Sequence, residues 1–364
     1  MSIKILIVDD SAFMCRQLSR ILSGFSDLEV VGMAHGAKEA EEKIKTSRPD
    51  VLTLDVHMPE VSGLEFLERQ MRRRPLPVVM VSAYTQEGSE TTLKALELGA
   101  VDFIDKPRIG SGRSLEDYGR ELADKIRGAK SARLSLRASV SELLPSAKPA
   151  IKQASSAAPL PNSYAPNNPG GKVIFLGAST GGTEAIKRVL LGMPANCPPI
   201  LVVQHLPENF SAVFAENLNR VCQPRVCEAQ GGEAVEPGVV YITRGNHHML
   251  LKKTGDRLML ELVQTPPVNG HRPSVDVLFE SAAAVMGKQA IGVILTGMGK
   301  DGAQGLLAMK KRGARTFAQN EASSVVYGMP REAFALGAVE EVVDISNMAE
   351  RILLLFGKKS PLTL

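Results

Sequence analysis

The sequence lacks tryptophan and has few other aromatic residues: these make up 4% of its 364 residues, whereas hydrophobic residues make up 44%. We therefore expect cores built mainly from aliphatic side chains. A large excess of positive charge is also missing, because 43 basic residues are nearly balanced by 39 acidic ones. No stripe of basic residues is interleaved with aromatic residues. The composition thus argues against nucleic acid as a partner.

Cysteine is scarce, and a long hydrophobic run is absent. The four cysteines lie without the spacing of a disulfide framework or a zinc site, which favours reduced thiols in a cytosol. The apolar segment near the N-terminus, residues 3–8, is far shorter than the roughly 20 residues that a membrane span needs. We therefore expect a cytoplasmic protein with no direct membrane insertion.

The length predicts two domains, since one domain usually holds about 100–200 residues. In residues 1–125, apolar segments of strand length alternate with segments of helical period, which is typical of a parallel sheet covered by helices. Five strands in this rhythm predict a flavodoxin-like α/β domain with a five-stranded parallel sheet. The predicted strands are residues 4–8, 30–34, 51–54, 78–81 and 102–104.

Residues 126–171 are predicted to be a linker. Most of this segment, PSAKPAIKQASSAAPLPNSYAPNNPGG, is rich in Pro, Ala, Ser and Asn and offers few large apolar side chains to bury. The strand-and-helix alternation resumes in residues 172–364, which predicts a doubly wound, mostly parallel α/β domain. Glycine-broken, β-rich segments in residues 235–263 indicate an added antiparallel hairpin. Strands of the second sheet are expected at residues 173–176, 200–203 and 291–295.

Acidic residues follow the strands of the first domain. Asp9 and Asp10 come after the first predicted strand, and Asp55 comes after the third. Because parallel strands present their carboxyl ends at one edge of the sheet, the three carboxylates should converge there. Mg²⁺ would neutralise them, since it takes oxygen ligands and keeps waters for a phosphoryl donor. The pattern predicts Asp55 as a phosphoacceptor; the simpler alternative is a set of solvated acidic turns.

Two further side chains reach the same edge. Lys106 would supply a cation to phosphoryl oxygens, and Ser82 would donate a hydroxyl hydrogen bond. With its motifs VDD, DVHMP, VSA and DKP, the segment resembles the receiver domain of two-component response regulators. Receivers commonly precede DNA-binding domains, but the second domain has no helix-turn-helix pattern and no basic recognition helix.

The resemblance to receiver domains implies further roles. Mg²⁺ would be held by Asp10, Asp55 and the backbone carbonyl of His57, with Asp9 as an acidic neighbour. Phe103 matches the switch aromatic of receivers, which often carries a hydroxyl that phenylalanine lacks. A signal that needs this hydroxyl is not expected here.

The second domain opens with an apolar strand that leads into Gly-Ala-Ser-Thr-Gly-Gly and then a helical segment. This satisfies the G-x-S-x-G spacing, in which glycines allow a sharp turn and expose the hydroxyl of Ser179. The following helix N-terminus offers amides for a developing oxyanion. A plain tight turn and a phosphate-binding loop are the alternatives, whereas a dinucleotide-binding loop lacks its three-glycine spacing here.

Two candidate partners of Ser179 follow neighbouring strands. His205 comes two residues after the predicted strand at residues 200–203, where it can serve as a general base. Asp301 lies in the glycine-rich turn after residues 291–295. An aspartate there can accept the imidazole N–H and stabilise the imidazolium; a helix N-cap is its simpler role. The chain order Ser, His, Asp differs from that of the α/β-hydrolases.

The second domain resembles the catalytic domain of the chemotaxis protein-glutamate methylesterase family, CheB. The resemblance rests on GASTGGTEA, QHLP, PPVNGHRPSVDVLF, GVILTGMGKDGA and AQNEASSVVYGMPREA. The resemblance implies hydrolysis of glutamate γ-methyl esters on methyl-accepting chemoreceptors, often with deamidation of receptor glutamines. It also implies that the esterase reaction needs no cofactor. Thr180 and Met298 would lie beside the nucleophile and give backbone amides to the oxyanion.

The same resemblance implies control by phosphorylation. A histidine kinase of the chemotaxis type would donate the phosphoryl group, and the unphosphorylated receiver would pack across the Ser179 edge and block large substrates. A receptor-docking adaptor with an inactive hydrolase domain is the competing hypothesis, and the presence of Ser179, His205 and Asp301 argues against it. The roles of His271, Ser274 and Asp276 stay open, because packing would explain them equally well.

Overall fold

The computed structural model describes residues 2–82, 86–107, 114–132 and 171–356. They form an N-terminal unit, up to residue 132, and a C-terminal unit, from residue 171. The predicted linker lies outside the described residues apart from its two ends. No helix within the described ranges is both long enough and apolar enough to cross a membrane.

The N-terminal unit is a parallel sheet of strand order β2-β1-β3-β4-β5, which confirms the predicted flavodoxin-like fold. Its strands are β1 (Ile3–Val8), β2 (Leu28–Ala34), β3 (Val51–Asp55), β4 (Val78–Ser82) and β5 (Asp102–Asp105). Its helices are α1 (Ala12–Leu22), α2 (Ala37–Ser47), α3 (Gly63–Arg73), α4 (Gln86–Glu97) and α5 (Leu115–Ser131).

Local sequence fixes where several of these helices begin. Ser11, Ser62 and Ser114 are N-caps whose side chains accept a hydrogen bond from the backbone amide three residues later. Helix α5 continues past residue 125, the predicted end of this domain, and Ile126 and Ala129 are buried in its core. The packed unit therefore extends to the end of α5.

The C-terminal unit is a seven-stranded sheet of order β14-β13-β12-β6-β7-β9-β8, and its described strand pairs are parallel. Its strands are β6 (Val173–Ala178), β7 (Ile200–Gln204), β8 (Arg225–Glu228), β9 (Val239–Ile242), β12 (Ala290–Ile294), β13 (Arg315–Gln319) and β14 (Glu341–Val343). Its helices are α6 (Gly182–Leu191), α7 (Glu208–Val221), α8 (Val275–Met286), α9 (Ala303–Lys311), α10 (Met329–Ala335) and α11 (Met348–Leu353).

The predicted antiparallel hairpin is confirmed, and its bounds are narrower than expected. It consists of β10 (His248–Thr254) and β11 (Arg257–Val263), joined by a two-residue turn. Strand β9 also falls within the predicted hairpin segment but pairs with β7 and β8 in the main sheet. Short apolar runs alone do not distinguish a strand of the main sheet, such as the fully buried β9, from a strand of the partly exposed hairpin.

The two units share one hydrophobic cluster. Leu93 and Phe103 of the N-terminal unit belong to the same buried cluster as Phe210 and Phe214 of α7. The rings of Phe103 and Phe210 are stacked, with centroids 4.4 Å apart. Strand β5 and helix α4 therefore pack against the start of α7, which directly follows β7.

Candidate active site and phosphoacceptor site

Ser179 lies in a sharp turn between β6, which ends at Ala178, and α6, which begins at Gly182. Gly181 has φ 76°, a left-handed conformation that favours glycine, and a Cβ atom there would lie 2.6 Å from Val325. The amide of Gly182 donates to the Ser179 carbonyl at 2.7 Å, which closes the turn. The G-x-S-x-G segment thus forms the predicted strand-turn-helix.

His205 approaches Ser179 because β6 and β7 are paired in parallel, with Ala178 beside Gln204. His205 Nδ1 lies 3.1 Å from Ser179 Oγ, and Nε2 lies 2.8 Å from Asp301 Oδ2. The imidazole therefore faces the serine through Nδ1, whereas the catalytic histidine of chymotrypsin-type proteases faces it through Nε2. The three predicted residues form one hydrogen-bonded chain.

The Asp301 carboxylate is buried and surrounded by donors. It accepts hydrogen bonds from Ser274 Oγ at 2.7 Å, the Val275 amide at 2.7 Å and Asn269 Nδ2 at 2.8 Å. Burial alone would raise the pKa of Asp301, but hydrogen bonds from His205, Asn269 and Ser274 outweigh burial and hold that pKa well below its usual range. The fold therefore holds Asp301 ionised beside His205, and the same carboxylate satisfies an amide at the start of α8.

His271 covers the other face of the His205 imidazole. The two rings are stacked, with centroids 3.8 Å apart and an interplanar angle of 15°. Burial, together with the nearby His205, lowers the pKa of His271 to about 3. His271 is therefore neutral at neutral pH.

Buried polar side chains that the sequence reasoning missed hold the nucleophile turn. Gln204 Nε2 donates to the Ser179 carbonyl at 2.9 Å, and Thr296 Oγ1 donates to the Thr180 carbonyl at 3.0 Å. Gln319 Oε1 in turn accepts from the Thr296 amide at 2.8 Å. Gln204 and Gln319 end strands β7 and β13, and Thr296 lies two residues after β12. These positions at strand ends are the sequence signal that could have identified the three residues.

Thr180 and Met298 lie beside the nucleophile, and both contact the N-terminal unit. Thr180 Oγ1 donates to Asp102 Oδ2 of β5. Met298 packs so close to Gly128 of α5 that a Cβ atom on this glycine would lie 3.0 Å from the methionine sulfur. The edge that carries Ser179 is therefore covered by β5 and α5.

The acidic residues of the N-terminal unit converge as predicted. Asp9, Asp10 and Asp55 each place a carboxylate oxygen within 4.8 Å of the others. Lys106 Nζ lies 2.8 Å from Asp55 Oδ2 and 2.9 Å from Asp9 Oδ2. Hard carboxylate oxygens in one cluster are the donor set that suits Mg²⁺, so these residues fit the implied metal ion.

Burial and neighbouring charges shift the pKa values of Asp55 and Lys106 in this cluster. Burial raises the pKa of Asp55, and the Lys106 ion pair only partly opposes it. Burial alone would lower the pKa of Lys106, but hydrogen bonds to Asp55 and Asp9 outweigh burial and raise that pKa. The lysine therefore stays charged beside the carboxylates.

The other residues predicted at the receiver site occupy distinct environments. Ser82 is buried at the end of β4, and its hydroxyl donates to the Gly88 carbonyl at 3.3 Å. The side chain of His57 is exposed. Phe103 is buried, and it faces the C-terminal unit rather than solvent.

A cluster of carboxylates beside a lysine on a flavodoxin-like unit and a Ser–His–Asp chain on an α/β unit define the class of protein. It is a response regulator whose output domain is a serine hydrolase. Family models match the same two regions: the response regulator receiver domain matches residues 5–111, and CheB methylesterase matches residues 174–352.

Known proteins resemble the chain over most of its length. The protein-glutamate methylesterase/protein-glutamine glutaminase 1 of Dechloromonas aromatica is 59% identical over 350 residues, covering 96% of this chain and 97% of that protein. A protein of Nitrosomonas europaea with the same enzyme name is 53% identical over 351 residues, covering 96% of each chain. The crystal structure of the Thermotoga maritima CheB methylesterase catalytic domain covers 51% of this chain and 98% of that domain, with 36% identity and a TM-score of 0.50. The chain belongs to the CheB methylesterase family, and its N-terminal unit is a receiver domain.

Proposed function

We propose that the protein removes methyl groups from glutamate γ-methyl esters of methyl-accepting chemoreceptors, and deamidates receptor glutamines, under control of phosphorylation at Asp55. The observation that carries the proposal is the hydrogen-bonded chain of Ser179, His205 and Asp301 in a methylesterase domain joined to a receiver. Such an enzyme would support adaptation in chemotaxis-type signalling. It would act in the cytoplasm, where the receptors carry their modified helices.

The reaction is an acyl transfer in two steps. Ser179 Oγ attacks the side-chain carbonyl carbon of the substrate while His205 takes the serine proton. Collapse of the tetrahedral intermediate breaks the bond to methoxide or amide, and His205 protonates this group as it leaves as methanol or ammonia. Water then attacks the acyl-enzyme with His205 as base, which releases glutamate and regenerates Ser179.

Two features support this chemistry. The ionised Asp301 stabilises the imidazolium of His205, since a negative charge lies 2.8 Å from its second nitrogen. The backbone amides of Thr180 and Met298 are the proposed donors to the oxyanion, because both residues adjoin the Ser179 turn. No cofactor is required for these steps.

The receiver is proposed to take its phosphoryl group from a chemotaxis-type histidine kinase. Asp10, Asp55 and the backbone carbonyl of His57, with the carboxylate of Asp9 beside them, would hold Mg²⁺, which would supply the charge neutralisation that phosphoryl transfer needs. Asp55 accepts the phosphoryl group, Lys106 pairs with its oxygens, and Ser82 donates a hydrogen bond to it after leaving Gly88. This site belongs to the receiver alone and takes no part in ester hydrolysis.

Inhibition in the unphosphorylated state is proposed to follow from the contact between the domains. Asp102 accepts the Thr180 hydroxyl directly beside the nucleophile, and Phe103 stacks on Phe210 at the start of α7. Because these residues lie on β5 beside the phosphoacceptor edge, a change at Asp55 can weaken the contact and expose the site. A receptor helix is too large to enter while β5 and α5 cover it.

Asp55→Asn is expected to abolish the rise in hydrolysis that a small-molecule phosphodonor and Mg²⁺ cause, and to leave the basal rate in place. If the closed arrangement is about 99% populated, release can raise the wild-type rate by up to about 100-fold. The measurement is methanol release from methylated receptor membranes with and without phosphodonor. Asp27→Asn, which loses only an exposed ion pair to Arg127, is the matched control. A phosphodonor response retained in Asp55→Asn would remove this residue from the mechanism.

Phe103→Ala is expected to raise the basal, unphosphorylated rate about 10-fold, because an aromatic pair contributes about 0.5–1.5 kcal/mol beyond its burial. The same methanol assay without phosphodonor measures it. Glu97→Gln is the control, since it weakens partly exposed ion pairs to Lys187 across the same interface and to Lys94 within α4, and should change the rate little. An unchanged basal rate in Phe103→Ala would show that the stacked pair does not hold the domains closed.

A further inference from the structure

A tight turn at residues 268–271 lies directly over the His205 and Asp301 pair. Val268 and His271 pair with each other through reciprocal backbone hydrogen bonds of 2.9 and 3.0 Å. Between them, Asn269 has φ 53° and Gly270 has φ 80°. Positive φ at both central residues is the geometry of a type I′ turn, for which Asn-Gly is the preferred sequence. The Asn-Gly sequence therefore favours this turn conformation by itself, independently of the contacts that the turn makes with His205 and Asp301.

The side chain of Asn269 joins two buried carboxylates. Its Nδ2 donates to Asp301 Oδ1 at 2.8 Å and to Asp276 Oδ2 at 2.7 Å. Asp276 Oδ1 in turn accepts the Gly305 amide of α9 at 2.7 Å. Both carboxylates are nearly fully buried, so the amide between them supplies a shared hydrogen-bond donor and reduces the cost of placing the two acidic groups close together.

The next residues of the segment hold the imidazole. His271 stacks on His205, and Arg272 anchors the segment by donating to Asn246 Oδ1 at 2.7 Å and to the Thr265 carbonyl at 3.0 Å. A neutral, stacked ring restricts rotation of the His205 imidazole and leaves its two nitrogens to Ser179 and Asp301. The segment therefore touches both partners of the nucleophile.

We propose that Asn269 and His271 are positioning residues of the hydrolase site: Asn269 fixes the carboxylate of Asp301, and His271 fixes the ring plane of His205. Neither side chain hydrogen-bonds to Ser179 Oγ, which pairs with His205, and neither transfers a proton in the reaction. The inference rests on the proposed hydrolase function. Rate is sensitive to such placement, since a displacement of about 1 Å can cost about 100-fold.

The test for Asn269 uses the full chain with phosphodonor and Mg²⁺, and two readouts. One is the rate of labelling by a fluorophosphonate, which reports the reactivity of Ser179 whatever the natural substrate; the other is kcat and KM for methanol release. Asn269→Gly keeps the positive φ of the turn and removes only the amide. It is expected to lower the labelling rate and kcat about 10–100-fold per folded molecule, with KM unchanged.

The test for His271 separates ring stacking from proton transfer. His271→Ala is expected to lower kcat by a similar factor, and His271→Phe, which keeps a flat ring against His205, to restore most of the lost rate. His247→Ala is the matched control, because that histidine hydrogen-bonds the Gly245 carbonyl instead. Folded fractions from circular dichroism normalise all rates.

The outcomes are distinguishable. Wild-type labelling by Asn269→Gly, or an equal loss in the Ala and Phe variants of His271, would overturn the positioning roles while the hydrolase function stands. A folded wild-type protein that neither reacts with the fluorophosphonate nor releases methanol would instead overturn the proposed function itself.

Discussion

Methyl ester hydrolysis is expected to fall about 10⁵–10⁶-fold in Ser179→Ala, because removal of the nucleophile from a Ser–His–Asp unit leaves only substrate binding and oxyanion stabilisation. The fold should be retained, since Ser179 is only half-buried at the end of β6 and its backbone makes the contacts that close the turn. Single-turnover methanol release from methylated receptor membranes measures the loss.

The matched control for this variant is Ser346→Ala, which removes a hydroxyl that donates to Asp344 in a loop of the same domain. It should hydrolyse like the wild type. Phosphorylation of the receiver should be equal in all three proteins, because Asp55 lies in the other domain. Full signalling by Ser179→Ala in cells would favour the adaptor hypothesis, in which the hydrolase domain serves only to dock on receptors.

The second large effect is expected for Asp301→Asn, which should lower kcat about 10⁴-fold. The amide cannot stabilise the imidazolium of His205 as a carboxylate does. It must also turn an NH₂ group toward donors, because the Val275 amide and Asn269 Nδ2 now approach different oxygens of Asp301. A buried donor that faces another donor costs about 1–3 kcal/mol, so the melting temperature should fall as well.

The loss of activity and the loss of stability can be separated in Asp301→Asn. Asp344→Asn is the stability control, since it weakens a carboxylate that accepts local hydrogen bonds from Ser346 and lies outside the triad. Activity is compared per folded molecule at a temperature where both variants are native. A kcat within about 10-fold of wild type in Asp301→Asn would contradict the assigned role of Asp301.

The N-terminal fold was predictable from the sequence, and so was the grouping of the candidate residues at each sheet edge, because each of these signals lies in a short stretch of the chain. Apolar strand segments end directly at Asp9, Asp55, Ser179 and His205, and a parallel sheet brings such strand ends to one edge. The Asn-Gly turn at residues 269–270 was not predicted, although Asn-Gly is a recognised turn sequence. Its contact with Asp301 was not predictable, since it joins residues 32 positions apart in the chain.

The C-terminal sheet was predicted only in part. Strands β8 and β14 are short and lie at the two edges of the sheet, where a few apolar residues suffice and period-based signals are weak. Strand β13, next to β14, was also not predicted. The interface between the domains was foreseen in outline, through the family resemblance. Its particular contacts, such as Thr180 with Asp102, depend on how two folded surfaces meet and carry no local pattern.

Methanol release from methyl-labelled chemoreceptor membranes tests whether phosphorylation of Asp55 controls hydrolysis at Ser179. Wild type, Ser179→Ala and Asp55→Asn are compared with and without a small-molecule phosphodonor and Mg²⁺. We expect release that rises with phosphodonor in the wild type, stays at the basal rate in Asp55→Asn and vanishes in Ser179→Ala. Methanol release that persists in Ser179→Ala, or that never occurs in the wild type, would contradict hydrolysis at Ser179 under the control of Asp55.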